Sequence, residues 1–585
     1  MPHSIHNRIL RVDLTEGRIW TEEPGLEFYR KYVGGRMFIA HYLLKELPKG
    51  ADPLGPENIL VFAAGPMTAV PVAGNARHSV GAKSPMSGLY GEAEAGGFWG
   101  AELKMAGWDG MVVTGRSETP VYLWIKDQEV EIRDAAHLWG MITGDVEDGI
   151  REELDDARIR VAQIGPAGEN LVRFACIVND LNEFAGRGGM GAVMGSKNLK
   201  AIAVRGGSRV VPADMGPIRD TSRWVAKETF GEGQPHYMFH NFGTGAMVRG
   251  KQLEGHVISH NFRDGVLEGA ENSDAIALKE SVMERMDGCF SCSVNCKKRV
   301  RIETGKITVD PKYGGPEYET LAAIGSNLGV TDILAVCKSA EVANYLGMDS
   351  ISAGSVLAWA MEMAEMGLIT PSDLGEDELI FGRGSDVIKW LERIAYRRGF
   401  GDVLAEGALH ASRIIGKDSE QYVMHVKGVD LGMHDPRAME IMRRGFPVSP
   451  VGGDHCNSAH KKNALANTLG LCQFLDYDDD RKLSLLNAAT GWDMSLEELD
   501  DAYERGITMT RLFNVQEGWT THDDVLPWRI HQPMAQGPMS NQVLPPEQVR
   551  EETQEYYEAR GWDRDTGIPN SDTVERLGLQ ATPAA

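Results

Sequence analysis

The chain has 585 residues, of which 42% are hydrophobic and 25% charged, an ordinary globular composition that excludes a disordered or fibrous protein. Its formal net charge of −24 opposes a nucleic acid or an anionic membrane surface as the main partner. No stretch approaches the about 20 apolar residues of a membrane span, and the first residues lack the apolar core of a signal peptide. A cytoplasmic protein that binds neither nucleic acid nor membrane is therefore expected.

Apolar and alternating segments predict β-strands throughout the N-terminal third of the chain. These segments are residues 8–14, 58–63, 110–114, 121–132 and 199–204. Glycine is concentrated in the same third, and it makes up 67 of 585 residues, about 11.5% where about 7% is usual. We therefore predict a sheet-rich N-terminal domain over residues 1–210.

From about residue 212 the spacing of apolar residues becomes helical. Thr331 or Asp332 caps a predicted helix that ends at Gly347. Three further segments follow the same pattern of Ser, Asp or Gly before the helix and Gly after it: residues 355–367, 385–399 and 401–416. We predict two mainly helical domains, residues 211–417 and 418–585, and hence an α+β chain.

Three cysteines, Cys289, Cys292 and Cys296, lie within eight residues. A zinc site usually adds a second C-x-x-C pair or a nearby histidine, and neither is present around these cysteines. Three close thiols with a distant fourth instead suit a cubane [4Fe–4S] cluster, in which each iron takes one thiolate. The alternative is a reduced, buried loop without a ligand.

Four other cysteines are candidates for the fourth ligand: Cys176, Cys337, Cys456 and Cys472. Cys337 falls inside a helical pattern and Cys176 inside an apolar segment, so both are predicted to be core residues. Cys472 follows a Gly-Leu turn that can direct its thiol inward. The basic run 297–301 after the cysteines predicts either a face that docks an acidic electron carrier or a solvated surface.

The segment 185–198 contains G-x-G-x-x-G at Gly186, Gly188 and Gly191. It lacks the acidic residue that a dinucleotide-binding fold needs about 20 positions later, and it lacks the Gly-Lys-Ser/Thr of a Walker loop. Close approach of backbone amides to an anion remains, with Arg187 and Lys197 adding charge, so we predict a phosphate cradle. Residues 77–100 contain a second glycine-rich stretch of the same character, and structural turns are the alternative for both.

Four motifs in order resemble the tungsten-dependent aldehyde:ferredoxin oxidoreductase family over nearly the whole chain. They are the glycine loop 186–202, the cysteine trio, GPEYETLA at 315–322 and N-x-x-G-L-C at 467–472. The resemblance implies an N-terminal domain of two β-sheets that cradle the cofactor, followed by two helical domains. The cofactors it implies are tungsten (or molybdenum) held by the dithiolenes of two pterins, a Mg²⁺ that bridges the pterin phosphates, and a [4Fe–4S] cluster on Cys289, Cys292, Cys296 and Cys472.

The family grips its pterins with two D-x-x-G-L-C/D motifs, and this chain has Asn344 and Asn467 in place of the leading aspartates. An amide keeps an acceptor oxygen but loses the charge. Arg77 matches the arginine that lies between pterin and cluster. The cofactor-binding residues that the resemblance implies are Arg77, Gly96, Gly97, Ala185, Gly186, Arg187, Gly188, Gly189, Asn344, Gly347, Asp349, Asn467, Gly470 and Leu471.

For catalysis the resemblance points to Glu319, with Glu317 as the fallback, and to His455. His434 occupies a position where some members have tyrosine, and it would tune the pocket. Oxidation of an aldehyde needs carbonyl polarisation, oxygen delivery and proton removal, which a histidine and a glutamate can divide. Without the family, His455 would be an ordinary loop histidine and Glu319 a favourable partner of a helix dipole.

Three functions are compared. The first is oxidation of a small aldehyde to a carboxylic acid, with electrons leaving one at a time through the cluster to a ferredoxin or a ferredoxin-like subunit. The second is reduction of an aromatic acyl-CoA by a related enzyme, and the third is a non-catalytic electron-transfer subunit. Retention of both Glu319 and His455 favours the first. A homodimer and a hetero-oligomer are both compatible with the family.

Overall fold

A computed structural model describes residues 3–375, 377–456 and 459–579. Two six-stranded sheets form the N-terminal third. The strands of the first sheet are β1 Ile9–Asp13, β2 Arg18–Glu22, β3 Leu60–Ala64, β4 His78–Lys83, β5 Tyr90–Ala95 and β6 Gly110–Thr114. Those of the second are β7 Val121–Lys126, β8 Glu129–Asp134, β9 Arg160–Gln163, β10 Ile177–Asn179, β11 Glu183–Ala185 and β12 Leu199–Arg205.

Both sheets are mostly antiparallel. The strand order is β2-β1-β6-β3-β4-β5 in the first and β11-β10-β9-β12-β7-β8 in the second. Only two of these pairs are parallel, β1 with β6 and β7 with β12. Phe62 of the first sheet and Leu123 and Ile202 of the second belong to one buried apolar cluster, so the two sheets share a core.

Six helices accompany the sheets: α1 Leu26–Tyr32, α2 Arg36–Glu46, α3 Trp99–Met105, α4 Thr143–Glu153, α5 Pro166–Glu169 and α6 Met190–Ser196. The remainder is mainly helical. It contains α7 Met215–Phe230, α8 Tyr237–Phe242, α9 Met247–Glu254, α10 Ala275–Ser281, α11 Tyr318–Thr320, α12 Ile333–Leu346, α13 Ser350–Glu365, α14 Pro371–Leu374, α15 Gly384–Ala395, α16 Gly401–Leu404, α17 Ala408–Ile415, α18 Glu440–Val448, α19 Lys461–Leu469, α20 Asp479–Thr490, α21 Leu496–Gln516, α22 Pro546–Ala559 and α23 Ser571–Arg576.

Three short antiparallel ribbons interrupt this helical region. They are β13 Met283–Asp287 with β14 Lys297–Val300, β15 Ile302–Glu303 with β16 Thr308–Val309, and β17 His425–Val426 with β18 Val429–Asp430. The α+β architecture predicted from the sequence, with two sheets followed by mainly helical structure, is confirmed.

The helix α12 shows how local sequence sets these elements. The carboxylate of Asp332 accepts the N–H of Leu334, and Gly347 takes the left-handed conformation that ends the helix. The predicted helix over 401–416 is wrong in one respect. Gly407, with φ +81°, separates α16 from α17 because a left-handed residue cannot continue a right-handed helix.

Within the described residues, no single helix is long and apolar enough to cross a membrane. One bent helix pair, Tyr318–Leu328 with Ile333–Leu346, has the required length and composition only when the two are taken together, and it turns through 120°.

Candidate active site

A cavity lies where the second sheet, the helices α11 to α13 and the loop before α19 meet. It contains about 1130 Å³ of space free of protein atoms, including its mouth. Residues predicted from the sequence to bind cofactor or act in catalysis line it from distant parts of the chain: Arg77, Gly186, Arg187, Glu317, Glu319, Asn344, Asp349, His455 and Asn467.

The three clustered cysteines lie on the loop that joins β13 to β14. Ser291 and Asn295 are exposed and adopt left-handed conformations, which curl the loop. Burial raises the pKa of the Cys292 and Cys296 thiols, to about 12 for Cys296, and the charge of Cys472 contributes to both shifts. The fourth predicted ligand therefore lies close to the loop although it is far away in sequence.

Cys472 follows the C-terminal end of α19. Its N–H donates to the carbonyl of Gly74 at 2.8 Å, and Arg77 Nη2 lies 3.6 Å from its sulfur. All four predicted cluster cysteines are free thiols. Cys176 and Cys337 are buried, as the sequence predicts.

Gly96 and Gly97 contact the cysteine loop. A Cβ on Gly96 would lie 2.9 Å from Cys289 Sγ, and the carbonyl of Gly97 accepts the N–H of Phe290 at 3.0 Å. Neither glycine lines the cavity within the described residues. Their small size thus lets the cysteine loop approach the first sheet.

Arg187 is the charged residue that the glycine loop presents to the cavity. Ala185 ends β11, and Gly188 and Gly189 are both left-handed, with Gly189 preceding α6. Nη2 of Arg187 donates to the carbonyl of Asp430 at 2.6 Å, and its Nε lies 3.1 Å from Asp349 Oδ2. Its Nη1 is buried and has no hydrogen-bond partner within the described parts of the chain.

Lys197, unlike Arg187, is not among the described residues that line the cavity. Its amine is buried and donates to the carbonyls of Asn58 and Gly115, and burial lowers its pKa to about 7. The prediction that Lys197 adds charge to the phosphate loop is therefore wrong. The physical reason is that α6 carries Lys197 away from the cavity, to the strand ends.

The two N-x-x-G segments end helices that dock on the two sheets in the same way. Gly347 ends α12 and Gly470 ends α19, both left-handed. A Cβ on Gly165, after β9, would lie 2.3 Å from the carbonyl oxygen at the end of α12, and one on Gly65, after β3, would lie 2.2 Å from that at the end of α19. Asn344 and Asn467, each three residues before its glycine, both line the cavity. Leu471 is buried next to Gly470.

Glu319 lies in the short helix α11, which continues into a π-helical turn at Leu321–Gly325, a feature common at functional sites. Its Oε2 accepts the N–H of Met433 at 2.8 Å. Its Oε1 lies 3.0 Å from His434 Nε2 and 3.4 Å from His455 Nε2. One buried carboxylate thus contacts two imidazoles at the cavity wall.

These contacts shift the pKa values of Glu319, His455 and His434 and so set the charge of each. Burial alone would raise the pKa of Glu319, but His455, His434 and the Met433 N–H together lower it below the usual range. Burial alone would lower the pKa of His455, but Cys456, whose sulfur is 3.2 Å from Nε2, and then Glu319 raise it to about 10. Burial and then Lys251 lower the pKa of His434 to about 4. At neutral pH the site holds an anionic Glu319, a cationic His455 and a neutral His434.

Glu317 has different neighbours. Lys298 Nζ lies 2.9 Å from its Oε2, Lys297 Nζ lies 3.6 Å from its Oε1, and Thr244 donates to it. Burial opposes its charge, but the two lysines lower its pKa to about 2. Glu317 therefore serves an ion-pair network beside the cysteine loop, and Glu319 is the carboxylate beside His455.

The basic run does not form an exposed docking face. Lys298 is 1% exposed, and Lys297 and Lys298 both turn toward the cavity. Arg299 pairs with Asp287, and Arg301 is held by glutamates. Lys297 and Lys298 lie next to Cys296, where their charge can offset that of thiolates.

Cys456 is a residue of the site that sequence reasoning considered only as a cluster ligand. Its position directly after His455 in the sequence could have indicated that it belongs to the site. Cys456 lines the cavity beside His455. Glu319, His434 and His455 offer ligand atoms within 4.8 Å of one another, as do Asp454, His455 and Cys456.

Comparison with known proteins agrees with this geometry. The family described as aldehyde ferredoxin oxidoreductase, N-terminal domain, matches residues 9–206, and aldehyde ferredoxin oxidoreductase, domains 2 and 3, matches residues 221–579. The tungsten-containing aldehyde ferredoxin oxidoreductases of Pyrococcus abyssi and Thermococcus kodakarensis are 38% and 37% identical to the chain, each over 98% of both sequences.

Among solved structures, the active site complex BamBC of benzoyl coenzyme A reductase, in complex with 1,5-dienoyl-CoA, is similar to the chain. The TM-score is 0.85 at 25% identity, and the match covers 99% of this chain and 98% of that one. Two family matches that together span nearly all of the sequence, with full-length relatives above 30% identity, lead to one conclusion. The chain belongs to the aldehyde ferredoxin oxidoreductase family.

Proposed function

We propose that the protein oxidises aldehydes to carboxylic acids at a tungsten (or molybdenum) bis-pterin centre in this cavity, and that a [4Fe–4S] cluster on Cys289, Cys292, Cys296 and Cys472 removes the electrons. The observation that carries the proposal is the contact of Glu319 with His455 at the cavity wall. The chain is more similar to the tungsten-containing aldehyde oxidoreductases than to the benzoyl coenzyme A reductase complex, which supports the aldehyde reaction over acyl-CoA reduction.

The residues fit these groups. Nη1 of Arg187 is buried and no described residue accepts its hydrogen bond, so an anion such as a pterin phosphate satisfies it. Gly186 leaves the cavity wall free of a side chain. Four thiols from two segments are the donor set of a cubane. Mg²⁺, which prefers oxygen ligands and phosphates, would be held with the pterin phosphates by the segment that begins at Ala185, where β11 ends.

When bound, the metal centre would accept two electrons from the substrate. The protein's own part is to bind the aldehyde and move protons. His455, as an imidazolium at the cavity wall, donates a proton toward the carbonyl oxygen and makes the carbonyl carbon more electrophilic. Glu319 Oε1 lies at the cavity wall next to two imidazole nitrogens, which can exchange protons with it, so it can accept a proton released as the aldehyde and water become a carboxylate.

The electron acceptor in this proposal is a ferredoxin or a ferredoxin-like subunit. Electrons leave a [4Fe–4S] cluster one at a time, which matches such a carrier. Ser291 and Asn295 are exposed on the cysteine loop, so the proposed cluster would lie just beneath the surface. A carrier that docks over this loop has a short path to the cluster.

Metal analysis with an aldehyde panel tests the proposal. The anaerobically purified protein should be brown, contain about one W or Mo and four Fe per chain, and reduce viologen with aldehydes. A protein with its iron intact but with neither W nor Mo would contradict it.

Glu319→Gln should lower aldehyde-dependent viologen reduction by about 10²- to 10⁴-fold, because the amide cannot accept the proton. The metal content should stay normal, since Glu319 contacts imidazoles and not the thiols. Glu317→Gln is the matched control, since it breaks the ion pairs with Lys297 and Lys298 and leaves the Glu319–His455 contact in place. Equal turnover in Glu319→Gln and the wild type would remove Glu319 from the mechanism.

A further inference from the structure

A buried lysine contacts one of the two imidazoles, that of His434. Lys251 in α9 is 6% exposed, and its Nζ lies 2.9 Å from Nδ1 of His434. It also donates to the carbonyl of Met433 at 3.4 Å, and it lies 4.9 Å from the centre of the Tyr318 ring. No carboxylate lies within salt-bridge distance of this ammonium among the described residues.

The contact determines which nitrogen of His434 carries the proton. An ammonium group has only donors, so Nδ1 of His434 must accept from Lys251. The neutral imidazole then carries its proton on Nε2, the nitrogen 3.0 Å from Glu319 Oε1. The other tautomer would set an N–H against the ammonium and a lone pair against the carboxylate, both repulsive.

We infer that Lys251 is a positioning residue: it holds His434 neutral and protonated at Nε2, so that His434 presents an N–H to Glu319. This inference goes beyond the proposed function and rests on it for its kinetic test. It also bears on whether Glu319, His434 and His455 bind a cation or transfer protons. A cation at that set would need the Nε2 lone pair of His434, which the proton occupies.

The consequence for catalysis concerns Glu319. With His434 neutral, Glu319 has one cationic partner, His455. A second imidazolium would lower the basicity of Glu319 further and hinder its uptake of a substrate proton. Burial and Lys251 together thus keep Glu319 available by suppressing the charge of His434.

Burial and the surrounding charged groups shift the pKa values of both Lys251 and His434. Burial lowers the pKa of Lys251 to about 8, while three carboxylates oppose that shift: Glu319, Asp435 and Glu254. For His434, burial and Lys251 lower the pKa, Glu319 raises it and His455 lowers it. The arrangement therefore operates below about pH 8, where Lys251 is charged.

The first test reads the proton directly. Neutron diffraction from crystals of the holoenzyme in D₂O near neutral pD should show deuterium on Nε2 of His434 and none on Nδ1. Deuterium on Nδ1 would overturn the inference. The result is independent of turnover, so it stands even if aldehydes prove not to be substrates.

The second test is the pH profile of kcat/KM. In Lys251→Met the pKa of His434 rises because the repulsion from Lys251 is lost, although burial still lowers it, so more His434 is protonated at acidic pH and kcat/KM there falls below the wild-type value. The acidic limb moves to higher pH. Lys251→Arg restores the donor and the charge and should return the limb toward its wild-type position.

Two controls separate positioning from simple loss of a buried lysine. Lys200 is equally buried but contacts Glu169 and the carbonyl of Met141, so Lys200→Met should lower stability and leave the acidic limb in place. In a His434→Gln background, Lys251→Met should change the limb no further, since nothing is left to titrate there. An unchanged limb in Lys251→Met, or the same shift in the His434→Gln background, would overturn the inference.

Discussion

Glu317 and Glu319 stand two positions apart, and their contacts give the two carboxylates different chemistry. Glu317 is neutralised by two lysines beside the cysteine loop, and Glu319 by the imidazolium of His455 at the cavity wall. Burial opposes the charge of Lys297, but Glu183 and Glu317 raise its pKa, so this ammonium keeps its proton, whereas an imidazole can release one. A proton can therefore be exchanged at Glu319 and His455, while Glu317 supports the charge balance around the proposed cluster.

Cys456 should set the alkaline limit of activity. His455 polarises the aldehyde only while protonated, so kcat/KM should fall as the pH rises through about 10. Burial opposes the charge of His455, and Cys456 makes the largest contribution in the raising direction. Cys456→Ser should therefore lower the pKa of His455 and move the alkaline limb to lower pH.

Cys176→Ser is the control for that experiment. Cys176 also lines the cavity as a buried thiol, but among the described residues it is not one of the groups that shift the pKa of His455, so its replacement should leave the alkaline limb in place. Coincident alkaline limbs in the wild type and Cys456→Ser would show that the sulfur does not control His455.

Sequence patterns predict some residues of the site and miss others for a physical reason. The cysteine trio, Glu319 and His455 stand in short motifs whose spacing or resemblance can be recognised. Lys251 stands in an unremarkable helix, and its partner His434 is 183 positions away. Such a contact depends on how α9 meets the loop before α18, which no local pattern encodes.

Helix ends are the elements that build the cofactor cavity. The glycine that ends α12 could be predicted, because a left-handed position after an apolar helical run favours glycine. Its docking partner could not, since Gly165 lies after a strand of a different domain and has no left-handed requirement of its own. Only the packed structure shows that a side chain is excluded there.

Gly165→Ala should loosen this docking. The added Cβ would lie 2.3 Å from the carbonyl oxygen of Leu346, so α12 must move, at a cost of about 1 to 3 kcal/mol. The movement displaces Asn344, so the thermal midpoint and the W or Mo content should both fall.

Gly250→Ala is the matched control with the opposite sign. Gly250 lies within α9 and a Cβ there meets nothing within 4 Å, so alanine should stabilise the helix by up to about 1 kcal/mol. If both variants melt alike and retain the same metal content, the close docking of α12 does not matter.

The cysteine loop lies in a β-ribbon that the sequence pattern did not predict. The segment around the trio was expected within a helical region, but β13 and β14 form a ribbon that presents the loop between them. The basic residues of β14 form ion pairs with carboxylates from other segments, among them Glu317 and Glu183. A charge run in the sequence therefore did not become a charged surface.

The four predicted cluster ligands join separate parts of the chain. Three stand on one loop at 289–296, and Cys472 follows α19 after 175 further residues, where Gly74 of the sheet domain fixes its backbone. A cluster held in this way would cross-link the two helical segments, and the hydrogen bond from Cys472 to Gly74 ties one ligand to the sheet domain. Binding of the proposed cluster would then add to the stability of the folded chain, because the unfolded chain has no preformed site.

Cys472→Ser should lower the iron content from about four per chain, because a cubane deprived of one thiolate loses an iron or dissociates. Viologen reduction should fall with it, and the thermal midpoint should drop because the cross-link is weakened. Cys337→Ala is the control: Cys337 is buried in α12, away from the loop, and its loss should leave the iron content unchanged. Four irons and full viologen reduction in Cys472→Ser would exclude Cys472 as a ligand and return the fourth position to the other cysteines.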